Sequence, residues 1–345
     1  MKLHHLMTIF VTGGAGYIGS HACIELLNAG HKVVVFDNFC NSSPESVQRV
    51  QRISGGKITL IEGDIRNQSA VETALRNNNC DAVLHFAGLK AVGESVNMPL
   101  SYYDNNFIGT HSLLCAMQAV GVNKLVFSSS ATVYGDPQYL PINEDHSLSA
   151  TNPYGRSKLF IEEMLFDHYR ANRDWCILIL RYFNPVGAHK SGLIGEDSRG
   201  TPNNLMPYIA QVAVGLRYEV RIWGDDYPTP DGTGIRDYIH VVDLAIGHLK
   251  ALQKLDHPQC TTVNLGTGRG YSVLEVIAAF EEACGKPLRY VFADRRAGDI
   301  ASCYADTTRA KNLLDWHALH DLQTMCVDHW RWQKNNPLGY ANNQI

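Results

Sequence analysis

Tyr154 and Lys158 stand four residues apart in Asn152-Pro153-Tyr154-Gly155-Arg156-Ser157-Lys158. On a helix that spacing puts both side chains on one face, about one turn apart, and Pro153 suits a first turn. Such a pair can move a proton. A free tyrosine ionises near pH 10, so a tyrosinate acting at neutral pH needs its pKa lowered by about 3, worth about 4 kcal/mol. A lysine ammonium at about 5 Å supplies on the order of 3 kcal/mol at an effective dielectric of 20, and a second nearby positive charge brings ionisation within reach. Hydroxyls in Ser128-Ser129-Ser130-Ala131-Thr132 could hydrogen-bond a substrate alcohol, although serines at a strand end are also good turn formers. Tyr and Lys at this spacing also occur on plain solvated helices, so the pair depends on what the chain builds around it.

The elements that would position it begin at residues 7–12, a β-rich run that meets Gly13-Gly14-Ala15-Gly16-Tyr17-Ile18-Gly19 before an amphipathic segment. This reads as strand, glycine turn and helix. Gly13 permits the tight turn, Gly16 lets backbone approach a pyrophosphate, and Gly19 allows close helix packing, with the phosphates on the helix N-terminus. A second strand over 32–37 ends in Asp37, an acid suited to a ribose 2′-hydroxyl. Asp37 would repel a 2′-phosphate, and Asn38-Phe39-Cys40-Asn41 brings no arginine, so NAD is favoured over NADP. A strand over 58–61 leads to Asp64, placed to meet the adenine amino group. Helix over 68–75, strand over 81–86, helix over 99–120 and strand over 122–127 continue the alternation. That pattern predicts an α/β fold: a Rossmann-type doubly wound parallel sheet with ligands at the strand carboxyl ends. Phe86-Ala87-Gly88 would bring backbone close to a flat ring there, with Lys90 following.

After a strand over 176–181 the alternation breaks, and a loop rich in Gly, Ser and Pro runs to residue 202. The expected organisation is an NAD-binding domain over 1–185, with a return of about 236–266, and a smaller α/β substrate-binding lobe over 186–345. Helices are predicted over 205–214, 240–252, 272–284 and 307–314, with β-rich runs over 219–223 and 262–266. Trp316, Trp330 and Trp332 read as packing.

Composition narrows the class. The 345 residues carry 30 basic against 34 acidic side chains, a net charge of −4, which offers no case for nucleic acid or an anionic membrane. A small molecule is the better partner. Nine scattered cysteines without a Cys-x-x-Cys pair read as reduced thiols of a cytoplasmic protein, with no metal site and no disulfide frame. No apolar run reaches the length of a membrane span, and the start is too short for a signal peptide. His4-His5 carries no reading.

With the glycine turn, Asp37, Ser130 and Tyr154/Lys158 in this order, the chain resembles the extended short-chain dehydrogenase/reductase superfamily, and within it the 4-epimerases of UDP-sugars. The likeness extends over 11–19, 85–95, 128–135, 181–189, 203–211, 231–240 and 295–299. It implies that Tyr154 is the acid/base at the sugar 4-hydroxyl, that Lys158 lowers its pKa and binds the nicotinamide ribose, and that Ser130, with Thr132 as fallback, hydrogen-bonds that hydroxyl. Gly13, Gly16, Tyr17, Ile18, Gly19, Asp37, Asn38, Asn41, Asp64, Ile65, Phe86, Ala87, Lys90, Asn105 and Tyr182 match positions that hold NAD in this family. Asn184, Asn204, Leu205, Arg236, Arg296, Asp299 and Cys303 match the UDP-sugar side, the arginines offering planar forks to the diphosphate.

The implied reaction interconverts UDP-glucose and UDP-galactose through transient oxidation at C4, rotation of the 4-keto sugar and hydride return. Alternatives are a nucleotide-sugar 4,6-dehydratase, which needs an Asp-Glu pair where Val133-Tyr134 stands here, and a non-catalytic dinucleotide sensor. Cys303 replaces a tyrosine of bacterial relatives, which implies room for UDP-GlcNAc and UDP-GalNAc. A homodimer packed through helices near 99–120 and 152–171 is implied as well.

Overall fold

A computed structural model of the chain describes residues 6–197, 201–296 and 298–343; His4 and His5 lie outside them. Among the described residues thirteen strands are formed: β1 Thr8–Thr12, β2 Lys32–Asp37, β3 Ile58–Glu62, β4 Ala82–His85, β5 Lys124–Ser130, β6 Cys176–Tyr182, β7 Asn184–Val186, β8 Val220–Trp223, β9 Ile235–His240, β10 Gln259–Leu265, β11 Gly270–Ser272, β12 Tyr290–Ala293 and β13 Ser302–Cys303. Seven of them make one parallel sheet in the order β10-β6-β5-β4-β1-β2-β3. The order reverses between β1 and β4, and such a switch point opens a crevice beyond the strand ends. This is the expected doubly wound α/β fold.

Its inner strands are apolar runs because helices cover both faces. In β2 only Lys32 is exposed, whereas edge strand β3 leaves Leu60 in solvent. On one face the helices Tyr17–Asn28, Pro44–Ser54 and Val241–Leu252 pack over Val11, Val35 and Leu84. On the other, Gln68–Asn77, Gly109–Val120 and Pro153–Ala171 pack over Phe10, Val83 and Phe127. Of the stretch 236–266, β9 lies in a four-stranded sheet with β7, β11 and β13, while β10 forms the outer edge of the seven-stranded one. A separate core gathers helices Leu205–Ala213, Val273–Cys284 and Leu322–Asn335 with Val220 and Ile222 of β8. Trp316 and Trp332 are buried, and Trp330 meets Phe280 edge-on, so all three tryptophans pack.

Two expected helices are irregular. The 99–120 helix is Pro99–Tyr102, a π-helical stretch Tyr103–Ile108, then Gly109–Val120. The 307–314 segment likewise ends in a π-helical stretch, Ala310–Leu314. Periodicity alone does not distinguish i→i+5 from i→i+4 bonding. No disulfide joins any of the nine cysteines, all of which lie among the described residues. Among the described residues no helix is long and apolar enough to cross a membrane, and no His/Cys/Asp/Glu group suits a metal ion.

Candidate active site

The glycine turn is built by close contact. Gly13 adopts φ +67°, and a Cβ there would lie 2.6 Å from the Ala87 amide nitrogen, so β1 and the end of β4 meet across the crevice. A Cβ on Gly19 would lie 2.3 Å from the Gly13 carbonyl oxygen. The first helix starts after Gly16 with no side-chain cap, which leaves its first amides open to an anion. At the end of β2 the buried Asp37 accepts hydrogen bonds from the Ala15 amide (3.0 Å), the Phe39 amide (3.0 Å) and the Ser42 hydroxyl (2.8 Å). A carboxylate has about four acceptor positions, so Asp37 can fix the turn and still receive a ribose hydroxyl. These features fit a dinucleotide.

Asp64 is more committed than the sequence suggests. Its carboxylate takes Nε and Nη2 of Arg66 at 2.9 and 2.7 Å, which holds its pKa well below the usual carboxylate range, and it also accepts Asn38 Nδ2 at 3.0 Å. Ile65 beside it is buried, whereas Asn41 is exposed. Across the crevice, Lys90 Nζ bonds Glu196 at 2.8 Å and lies 5.8 Å from the Tyr17 ring centroid. The Tyr17 hydroxyl in turn donates to the Gly187 carbonyl at 2.7 Å.

The residues that the sequence singles out for proton transfer lie close to one another. Asn152 caps the Pro153–Ala171 helix by accepting the Gly155 amide at 2.8 Å, with Pro153 in the first turn. Tyr154 and Lys158 follow on one buried face. Lys158 Nζ donates to the Ser128 carbonyl at 2.8 Å, and a Cβ on Gly88 would be 3.6 Å from it. Ser130 Oγ accepts from Thr132 Oγ1 at 3.0 Å, so the fallback hydroxyl sits beside the first choice. The Tyr182 phenol is drawn toward Ser128 and its ring packs edge-on to His248.

Burial raises the Tyr154 pKa, opposed by a hydrogen bond with Ser130. Burial also lowers Lys158 to about 8. Both groups are withdrawn from water, which disfavours the charged form of each.

On the other lobe Asn184 lies in β7, paired with Tyr238 of β9. Asn204 precedes the Leu205–Ala213 helix and reaches Glu196 at 3.4 Å. Cys303, buried in β13, is in register with Arg236 of β9. Arg296 and Asp299 pair with each other, Nε to Oδ2 at 2.9 Å. A nucleotide there would have to share or replace that pair.

Four residues join the site without having been singled out from sequence. Asn106 is fully buried by the π-helical stretch: it accepts the Leu89 amide (2.8 Å), donates to the Leu89 carbonyl (3.0 Å) and donates to Ser157 (3.1 Å). Asn105, the residue expected to face the cofactor, donates to Asn106 Oδ1 at 3.0 Å. Glu196 is the carboxylate joining Lys90 to Asn204. Trp223 offers a half-exposed ring with the Arg296 guanidinium 5.8 Å from its centroid, and the buried Tyr227 hydroxyl lies in the field of Arg236, Arg295, Arg296 and Asp299. The Gly224–Gly234 loop contains Tyr227, but no spacing rule singles it out.

A model of the NAD dependent epimerase/dehydratase family matches residues 9–266. The chain is 58% identical over 337 residues to the UDP-glucose 4-epimerase of Bacillus subtilis (strain 168), spanning 97% of this chain and 99% of the relative. It is 56% identical over 341 residues to the UDP-glucose 4-epimerase of Mus musculus, spanning 96% and 98%. The crystal structure of UDP-glucose 4-epimerase from Bifidobacterium longum in complex with NAD+ and UDP matches at a TM-score of 0.94 with 53% identity, covering 96% of this chain and 99% of that one.

Proposed function

We infer, because the chain belongs to the NAD dependent epimerase/dehydratase family, that it interconverts UDP-glucose and UDP-galactose by inverting C4 of the sugar. The observation that supports this is that Ser130 interacts with Tyr154, and that Lys158 Nζ lies 3.6 Å from where a Cβ on Gly88 would stand, one residue past the Ala87 that meets Gly13. Bound NAD accepts the C4 hydride and returns it to the other face of the ketose, so no net oxidation occurs. Tyr154, as tyrosinate, takes the 4-hydroxyl proton and later gives it back, with Ser130 hydrogen-bonded to the same oxygen. Lys158 holds the nicotinamide ribose and adds positive charge. Asp37 and the open amides after Gly16 hold the adenosine ribose and the pyrophosphate. Asn184, Asn204, Leu205, Arg236, Arg296 and Asp299 hold the UDP, which leaves the sugar free to turn about its phosphate linkage.

Purified protein given UDP-galactose without added NAD is expected to form UDP-glucose. A 4-keto-6-deoxy product would indicate a dehydratase instead, and no turnover a dinucleotide sensor. The dehydratase is disfavoured because Val133 and Tyr134 occupy the place of its acids and are fully buried beside Phe183 and Cys303.

A second activity is favoured by the small, buried Cys303 opposite Arg236: epimerisation of UDP-GlcNAc and UDP-GalNAc. Cys303→Tyr is expected to suppress the N-acetyl pair while sparing the parent pair; no turnover of the N-acetyl pair by wild type would sink this. We further propose a homodimer. Leu100 and Ile108 on the first stretch expected to pair and Phe160 on the second are exposed apolar side chains, with Val96 and Met98 exposed just before the first, and Leu100 is 79% exposed.

A further inference from the structure

The end of β5 is tied to the catalytic helix by three successive residues, and the functional reading uses only two of the ties. The Ser128 carbonyl accepts Lys158 Nζ at 2.8 Å, and the Ser130 hydroxyl interacts with that of Tyr154. Between them the Ser129 hydroxyl donates a short hydrogen bond to Glu162 Oε1. Glu162 is four residues beyond Lys158 on the same helix, so Tyr154, Lys158 and Glu162 form one column spaced i, i+4, i+8. Its side chain is 1% exposed, and it is held by Arg181, itself 3% exposed, with Nη2 at 2.5 Å from Oε2 and Nε at 3.0 and 3.1 Å from the two oxygens.

Arg181 is the β6 residue in register with Ser129, so the fork and the hydroxyl reach the carboxylate from neighbouring strands. It continues inward, donating to the Tyr134 hydroxyl at 3.1 Å and to the Glu144 carbonyl at 3.3 Å, and Tyr134 donates to Asn264 of β10 at 2.6 Å. The bonded path thus runs from the catalytic helix through β5 and β6 to the sheet edge.

We propose that Glu162, locked by Arg181, is the positioning residue of the proton-transfer centre: through Ser129 it fixes the strand end carrying Ser130 against the helix carrying Tyr154, and it sets the charge around Lys158. This rests on the functional reading above. A fully buried ion pair is at best neutral for stability against an apolar pair of similar volume, so its place one turn from Lys158 is better explained by geometry and charge at the site. Glu162 is the influence that opposes the lowering of Lys158 by burial. Other ionisable groups near these residues are His85 of β4, which is kept neutral by burial, Tyr102, edge-on to Tyr154 at 6.5 Å, Tyr182 of β6, Tyr134, and Cys260 of β10, whose thiol burial and then the Glu162 charge push up to about 12.

The test uses the NAD-loaded protein and two readouts: kcat with UDP-galactose, and the midpoint of Tyr154 ionisation from ultraviolet difference titration against Tyr154→Phe, which needs no turnover. Glu162→Gln leaves Arg181 uncompensated and removes the charge that helps to keep Lys158 protonated, so the midpoint is expected to move by about 1 pH unit while kcat falls about 100-fold. Ser129→Ala cuts only the tie and keeps the ion pair. It is expected to lower kcat about tenfold, with KM within about twofold and the midpoint unchanged. A merely structural pair would lower the melting temperature without moving the midpoint. An unmoved midpoint in Glu162→Gln, or an undiminished kcat in Ser129→Ala, would overturn the proposal; should Glu162→Gln not fold, the kcat of Ser129→Ala decides it. If wild type does not act on UDP-galactose, the functional reading has failed, and the midpoint still reports on Glu162.

Discussion

At the scale of single residues, Tyr154 and Lys158 are both unfavourably placed for the charges they need. Burial raises the one and lowers the other to about 8, and the proposed proton transfer relies on the positive charge of bound NAD to offset the first of these. Tyr154→Phe is accordingly expected to keep NAD and UDP-sugar binding while kcat drops at least about 10³-fold; near-normal turnover would refute the role. The pH profile follows from Lys158. Its ammonium is present below about 8 and lost above, so kcat is expected to fall as pH rises through that value. Ser130→Ala should cost less than Ser130→Ala with Thr132→Ala, because Thr132 Oγ1 lies 3.0 Å from Ser130 Oγ and can take its place; equal losses would remove Thr132 from the site. The Tyr154/Lys158 pair was readable in the sequence because i, i+4 spacing is local. Glu162 and Arg181 were not, since their relation depends on strand register between β5 and β6.

At the scale of elements, the crevice follows from the order of strands, and the alternation of apolar runs predicted it. The π-helical stretch Tyr103–Ile108 was not predicted. One extra residue in a turn leaves the apolar periodicity almost unchanged, yet it decides which of two adjacent asparagines points inward. The buried one, Asn106, holds both backbone groups of Leu89 and thereby the segment between Gly88 and Lys90. Asn106→Ala would leave those groups without partners, at about 1–3 kcal/mol each. A lower melting temperature and loss of co-purifying NAD are expected, with a smaller effect for Asn105→Ala. Arg296 and Asp299 show the converse limit: the resemblance singles both out as candidates, but their mutual ion pair appears only once the loop is folded.

At the scale of the whole molecule, the lobes enclose histidines that the fold keeps neutral. Burial lowers His21 and His85 to about 3 and His248 and His329 to about 4, and all four are at most 1% exposed. In the unfolded chain they protonate near 6.5, so between 6.5 and those values the unfolded state binds more protons. Their stabilising share is present above 6.5 and lost as pH falls. At pH 5.5 the loss is about 1.4 kcal/mol per histidine, and the four together should lower the melting temperature by roughly 7 °C relative to pH 7.5; a flat profile would mean that these rings are not buried neutral. The central claim, oxidation and reduction at one carbon without loss of the hydrogen, is tested most directly with UDP-galactose carrying deuterium at C4 and no added NAD. The account predicts UDP-glucose that retains the deuterium at C4. Deuterium washed into solvent, or moved elsewhere on the sugar, would contradict it.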